Sequence, residues 1–199
     1  MPTQPERRSR KDAARNQEAL LAAADALFAG SESPEDLTMA DVAAAAGVGK
    51  GTLFRAFGDR AGLLRALYAA RLEPLREAVE AGPAPLGPTA PPRERVPALL
   101  DALLCFKLDN RALALALEET GSGSPYRAGH YDYWHGLLRS TLERDPDATD
   151  ADFTAHALLA ATRADLVERL TGREGVPRER LRAQLARFAQ RVVDPRPER

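Results

Sequence analysis

Residues 37–64, LTMADVAAAAGVGKGTLFRAFGDRAGLL, constrain the fold more than any other stretch of this 199-residue chain. Thr38 followed three residues later by Asp41 reads as a relative of the capping box that starts a helix. Met39, Val42, Ala43 and Ala46 then recur at helical spacing. Gly47 ends that helix, because a left-handed turn carries no Cβ penalty for glycine. A second short helix carries Thr52, Leu53, Phe54 and Phe57; Gly58-Asp59 breaks it, and Asp59 caps a third. Two short helices around a glycine turn form the helix-turn-helix pattern, whose second helix can lie in a DNA major groove.

Composition sets the outer bounds. The formal net charge of −1 does not by itself favour a polyanionic partner. Its distribution is more telling: Arg7, Arg8, Arg10, Lys11 and Arg15 outnumber Glu6 and Asp12 in residues 1–15, a local charge of +3. A basic arm ahead of a helix-turn-helix can follow phosphates or enter a minor groove; alone, it reads equally as a solvated tail. No apolar run reaches the roughly 18 residues that span a bilayer, and the N-terminus lacks the apolar segment of a secretion signal. A cytoplasmic location with no membrane association is the expectation. Cys105 is the single cysteine; it lies in the apolar run LLDALLCF and is expected to be a buried structural thiol.

The rest of the chain reads as helix after helix, with no alternating strand pattern. A first helix is expected over 13–29, with Leu20, Ala24, Leu27 and Phe28 as its apolar stripe. A long helix follows Asp59 to about Ala81 through Leu64, Leu67, Tyr68, Leu72, Leu75 and Val79, with a kink or break at Pro74. The segment GPAPLGPTAPP, residues 82–92, is expected to be an exposed, mobile loop. Further helices are expected over 96–108, 110–120 (capped by Asn110), 126–144, from Asp150 or Asp152 to Leu170 with Gly172 as terminator, and from Pro177 to about Val193. The fold class is therefore all-α with about nine helices. Residues 1–15 form a basic arm, 16–59 a three-helix domain and 60–199 a helical C-terminal domain.

The residues AGVGKGTLFRAFGDRAGLL, Ala46 to Leu64, resemble the DNA-binding signature of the TetR family of bacterial repressors, roughly Ala-Gly-Val-Ser-Lys-Gly-Thr-Leu-Tyr-x-His-Phe-x-x-Lys-x-x-Leu. The resemblance implies a dimeric, ligand-responsive repressor on double-stranded DNA with a palindromic operator. It also implies site roles. Thr38 would bind a phosphate through hydroxyl and backbone N–H, and Lys50 would reach a base edge or phosphate. Gly51 would permit close approach, and Thr52 would touch the backbone. Arg55 would take the variable reading position and Arg60 the phosphate-binding lysine position. Three departures thin this set. Phe54 lacks the tyrosine hydroxyl, Ala56 replaces a histidine, and Gly49 replaces the serine that would cap the reading helix. Arg55 is then the main candidate for base reading, since arginine pairs bidentately with guanine.

The C-terminal half offers two further expectations. Leu181, Leu185, Phe188 and Val192 repeat at four-three-four spacing, and Ala157, Ala160, Ala161 and Ala164 form a small-residue face. Together they suggest a homodimer through a four-helix bundle. The resemblance places a pocket for an unidentified small-molecule effector among the middle helices. Its candidates are Leu103, Phe106, Leu113, Leu117, Tyr126, His130, Tyr133, Trp134 and Leu137, with Glu118 and Glu119 available to a cationic ligand. Tyr126, His130, Trp134 and Leu137 would share one helix face. No catalytic motif is present, so no enzyme is expected. No metal or cofactor is expected either: His130 and His135 are off a shared face, and His156 lies on another helix. The alternative reading is an all-α protein-interaction module with a vestigial helix-turn-helix.

Overall fold

The computed structural model describes the backbone of residues 4–30, 37–120 and 129–194; the side chains of 4–15, 116 and 118–120 lie outside that description. The described residues are helical, with no strand among them. The chain divides into two compact units, Met1–Arg71 and Leu72–Arg199.

The first unit holds α1 (Gln4–Gly30), α2 (Met39–Ala45), α3 (Lys50–Phe57) and the start of α4 (Arg60–Ala81). α1 begins well before the expected start, taking in most of the basic arm; the side chains of Arg7, Arg8, Arg10, Lys11 and Arg15 are outside the described residues. Its stripe is as read: Leu20, Ala24 and Phe28 are buried and Leu27 is half-buried. Leu20, Ala24, Met39, Val42, Ala43, Leu53 and Leu63 form one core, and Leu21, Leu27, Ala46, Val48 and Phe57 pack against it. Arg71 ties α4 to α1 through an ion pair with Asp25.

Glycine matters at two points here. Gly47 takes φ +65, the left-handed conformation that reverses the chain between α2 and α3. Gly62 has no room for a side chain: a Cβ would sit 1.9 Å from the Phe57 carbonyl oxygen, where α4 starts against the end of α3. Gly62→Ala will lower the stability of this unit by roughly 1–3 kcal/mol, because a backbone carbonyl must move. Thermal melting of the variant checks this, and an unchanged midpoint would refute the contact.

The second unit is built around α5 (Pro92–Asp109), against which α7 (Gly129–Leu142), α9 (Ala164–Glu168) and α10 (Arg178–Val193) pack. α6 (Arg111–Thr120) lies on α9, and α8 (Ala151–Ala160) on α7. Val96, Leu99, Leu100, Leu103 and Leu104 bury the inner faces of α5. Arg182 adds a two-pronged ion pair to Asp101, at 2.8 Å on both prongs, and Arg178 pairs with Asp109; both tie α10 to α5. Arg93 gathers Asp145, Asp147 and Asp194.

Several local expectations change. α4 runs unbroken through Pro74, which is exposed. Much of the 82–92 segment is exposed, as expected, but it is pinned to its own unit at several points. Ala90 is 1% exposed, Arg144 donates to the Pro88 and Ala90 carbonyls, and Arg95 donates to that of Leu86. α5 starts at Pro92, the first helical position, where a missing N–H costs nothing. The helix expected over 150–170 divides at residues 161–163 into α8 and α9. There the buried Thr162 hydroxyl donates to the Leu159 carbonyl, offering the backbone an alternative to helix continuation. A π-turn, Arg169–Arg173, continues α9 through Gly172, so the stop falls at Gly175, with φ +64. Asp150 occupies the N-cap of α8 in a left-handed conformation and makes no side-chain cap. Cys105 is half-buried beside the Arg178 guanidinium rather than sealed in the core. Among the described residues, no helix is long and apolar enough to cross a membrane.

Candidate nucleic-acid interface

α3 is eight residues long, so its orientation is set by packing and caps more than by intrinsic helix stability. Leu53 is fully buried in the N-terminal core and Phe57 half-buried against it. With those side chains inward, Lys50, Gly51, Phe54, Arg55 and Ala56 are left exposed, and Thr52 is half-buried. Phe54 is 48% exposed, a large aromatic held at the surface. Gly51 has open space where a Cβ would be, so nothing inside the chain requires glycine there. Gly49 is the N-cap and, as a glycine, supplies no side-chain hydrogen bond to the first amides. The result is a cationic, partly apolar face opening at a helix N-terminus.

The entry to α2 is a complete capping box. The Asp41 amide donates to Thr38 Oγ1 at 3.3 Å, and the Thr38 amide and hydroxyl donate to Asp41 Oδ2 at 2.9 and 2.6 Å. The Thr38 side chain, then its backbone N–H, hold the Asp41 carboxyl below the usual carboxylate range. Both Thr38 groups that the resemblance assigns to a phosphate are therefore engaged by Asp41. Asp59 caps α4, accepting from the Gly62 amide at 2.7 Å. Arg60 is partly structural: its Nε donates to the Leu37 carbonyl at 3.1 Å, joining the start of α4 to the entry of α2.

Residues 20–67 match the family model of bacterial regulatory proteins, tetR family. The N-terminal unit is a TetR-family DNA-binding domain. The fold of the chain is similar to a TetR-family transcriptional regulator from Rhodococcus sp., with 22% identity, TM-score 0.63 and coverage of 90% of this chain and 99% of that one. It is also similar to a fatty acid metabolism regulator from Clostridium perfringens, with 18% identity, TM-score 0.58 and coverage of 91% and 100%. A third likeness is to the fatty acid degradation regulator FadR from Bacillus halodurans, with 16% identity, TM-score 0.58 and coverage of 92% and 97%. No curated protein matches the chain.

Outside the TetR-family domain, the structure redistributes the other site residues. Leu103, Leu113 and Trp134 are buried, and Phe106, Leu117, Tyr133 and Leu137 are half-buried. His130 is exposed, so it does not share the buried face of Trp134, although one turn separates them. Tyr126 lies outside the described residues, as do the side chains of Glu118 and Glu119. Tyr133 donates to Glu80 Oε1 at 2.7 Å, and the Arg76 guanidinium lies 4.5 Å from its ring centre; both anchor α7 to α4. Burial, then that hydrogen bond, push the Tyr133 hydroxyl up.

The seam read on α10 splits. Leu181 and Leu185 are buried, as are Ala189 and Val193, while Phe188 is 38% exposed and Val192 half-buried. Ala164 is buried in α9, and Ala157, Ala160 and Ala161 are half-buried beside Phe153, which is 73% exposed.

Two features escaped the sequence reading. Arg95, one residue ahead of the helix expected over 96–108, is buried at 5% exposure. It donates to the carbonyls of Val79 at 2.8 Å and Leu86 at 2.9 Å and to Thr141 Oγ1 at 3.3 Å. Burial and the nearby Arg144 charge push its guanidinium down. The other feature joins α7 to α8: the rings of His135 and His156 stack with centroids 3.8 Å apart, correcting the expectation that these histidines stand apart.

Proposed function

We propose that the protein is a dimeric, ligand-responsive transcriptional repressor that reads a palindromic operator, not an enzyme, and that it works in the cytoplasm. The observation that carries this reading is the division of α3. Leu53 is wholly inside, while Lys50, Gly51, Phe54 and Arg55 stand outside on a TetR-family domain.

Lys50 and Thr52 contact phosphate or base edge at the start of the reading helix, and Gly49 and Gly51 let the backbone approach. Phe54 offers apolar contact to a thymine methyl, and Arg55 pairs with guanine. Arg60 contributes charge while holding Leu37. Thr38 acts mainly through the cap that fixes α2.

Two copies are needed to present two reading helices roughly 34–36 Å apart. The partner surface joins the exposed Phe153 and Phe188 to the half-buried Ala157 and Ala160 of α8, Ala161 at its end and Val192 of α10. Leu181, Leu185 and Ala164 support that surface from within the chain. The effector binds among α5, α6 and α7, near Leu103, Phe106, Leu113, Leu117, Tyr133, Trp134 and Leu137. A differential affinity of about 1–3 kcal/mol between two states suffices to couple it to DNA. α4 carries that change, since it begins in one unit and ends in the other.

The test is a titration of the full chain against DNA upstream of its own gene, at several salt concentrations, with footprinting. Arg55→Ala will lower discrimination between operator and mismatched sites by about 1–3 kcal/mol, roughly 5- to 160-fold. Arg60→Ala will weaken all sequences alike and flatten the salt dependence. Binding without salt dependence or base preference would overturn the reading. It would favour instead an interaction module with a vestigial helix-turn-helix, to which the exposed Phe54 and the Asp41-engaged Thr38 lend some weight.

A further inference from the structure

α7 and α8 pack side by side, and their contact collects nitrogen and oxygen donors that sequence spacing keeps apart. His135 projects from α7; Asp152 and His156 lie one turn apart on α8. One ring nitrogen of each histidine and one carboxylate oxygen of Asp152 lie within 4.8 Å of one another. The two imidazoles address the same carboxylate. His135 Nε2 is 3.5 Å from Asp152 Oδ1, and His156 Nε2 is 3.9 Å from Asp152 Oδ2. The Tyr131 hydroxyl hydrogen-bonds His156 Nδ1, and Tyr131 stacks on both rings, with centroids 6.1 Å from His135 and 5.8 Å from His156.

We infer that His135, Asp152 and His156 bind one divalent transition-metal ion of the zinc class, joining α7 to α8. Two imidazoles and a carboxylate suit zinc, nickel, copper or iron better than magnesium or calcium, which favour all-oxygen sets. Ligands of tetrahedral zinc lie about 3.3 Å apart, given metal–ligand distances near 2.0–2.1 Å. The donor separations here exceed that by an amount that side-chain rotation can close, since Asp152 is exposed and the His156 side chain is only half-buried. Tyr131 plays the supporting part usual at such sites. A ring N–H at Nδ1 donated to its oxygen leaves the Nε2 lone pair for the metal and fixes the plane of the ring.

Two contacts compete with the ion. His135 Nε2 lies within hydrogen-bond distance, 3.3 Å, of the Asp152 backbone carbonyl oxygen, a bond the metal must replace. Arg139 Nη1 lies 3.6 Å from Asp152 Oδ1, but Arg139 also pairs with Glu143 at 3.4 Å on its own helix and keeps that partner when displaced. With three protein ligands, a fourth position remains for water or an exogenous donor. This inference is independent of the DNA reading.

The test uses the full chain, freed of any polyhistidine tag and treated with chelator, titrated with Zn2+ and with Co2+ as a spectroscopic stand-in. The expected result is one ion per chain, visible cobalt absorption from nitrogen–oxygen ligation, and a raised melting temperature with zinc. Magnesium at the same concentration will produce none of these. Asp152→Asn and His156→Gln will each weaken zinc binding at least tenfold while keeping the wild-type circular dichroism spectrum. Tyr131→Phe will weaken it about tenfold. His130→Ala, which changes a histidine outside the trio, will leave binding intact. The inference is overturned if the double variant His135→Gln, His156→Gln binds zinc as tightly as wild type, or if His130→Ala is as damaging as His156→Gln.

Discussion

Leu53→Ala will abolish the DNA binding proposed above by unfolding α3 rather than by removing a DNA contact. Leu53 is fully buried in the N-terminal core, whose other buried members include Leu20, Val42 and Leu63. Truncating a buried leucine costs roughly 2–5 kcal/mol, and a core this small has few neighbours able to collapse into the void. α3 is also poorly placed to survive alone. It has eight residues and no side-chain cap, so packing of Leu53 and Phe57 holds it. Leu53→Met, which nearly conserves volume, will cost less than about 1.5 kcal/mol and retain binding. Thermal melts and DNA titrations of the two variants side by side decide the matter. An alanine variant with a wild-type melt and intact DNA binding would show that Leu53 does not hold α3.

Arg95→Ala will destabilise the C-terminal unit by about 2–4 kcal/mol, the range expected when buried acceptors lose a charged donor. The guanidinium bonds two backbone carbonyls and a hydroxyl, with no carboxylate among these partners. Val79 lies in the last turns of α4, where partial negative charge on the carbonyls favours a cation. Removing the side chain leaves Val79 and Leu86 oxygens unpaired under the 82–92 loop and opens a void. The cost of burying the charge disappears too, and this offset keeps the estimate below the sum of three charged hydrogen bonds. Arg95→Met restores the apolar stem and will fall between wild type and alanine. Trp134, the single tryptophan, is 3% exposed in the same unit, so its fluorescence in a urea titration reads the effect. Coincident midpoints for all three proteins would mean that Arg95 holds nothing together.

The N-terminal unit was legible because its determinants are local. Thr38 and Asp41 meet within one helical turn, as do Asp59 and Gly62, and Gly47 needs only its own backbone conformation. The helical stripe of α1 likewise follows from its own periodicity. Further along, local signals failed in proportion to how far apart the deciding residues are. The 82–92 loop has the composition of an exposed linker, yet Arg144, more than 50 residues away, holds it. The break between α8 and α9 carries neither glycine nor proline; a buried threonine hydroxyl marks it. The four-three-four spacing on α10 predicted an apolar seam, but spacing alone does not say which side faces α5.

The sequence by itself determined an all-helical chain with a helix-turn-helix near its N-terminus and a cationic face on its second short helix, because caps, turns and periodicity act within a few residues. Only the tertiary structure decided that Arg95 is a buried clamp, that His130 is exposed while Trp134 is buried, and that His135 meets Asp152 and His156. Those outcomes depend on how one helix is rotated and stacked against another. That rotation is set by the summed packing of side chains distant in sequence, which no local pattern encodes.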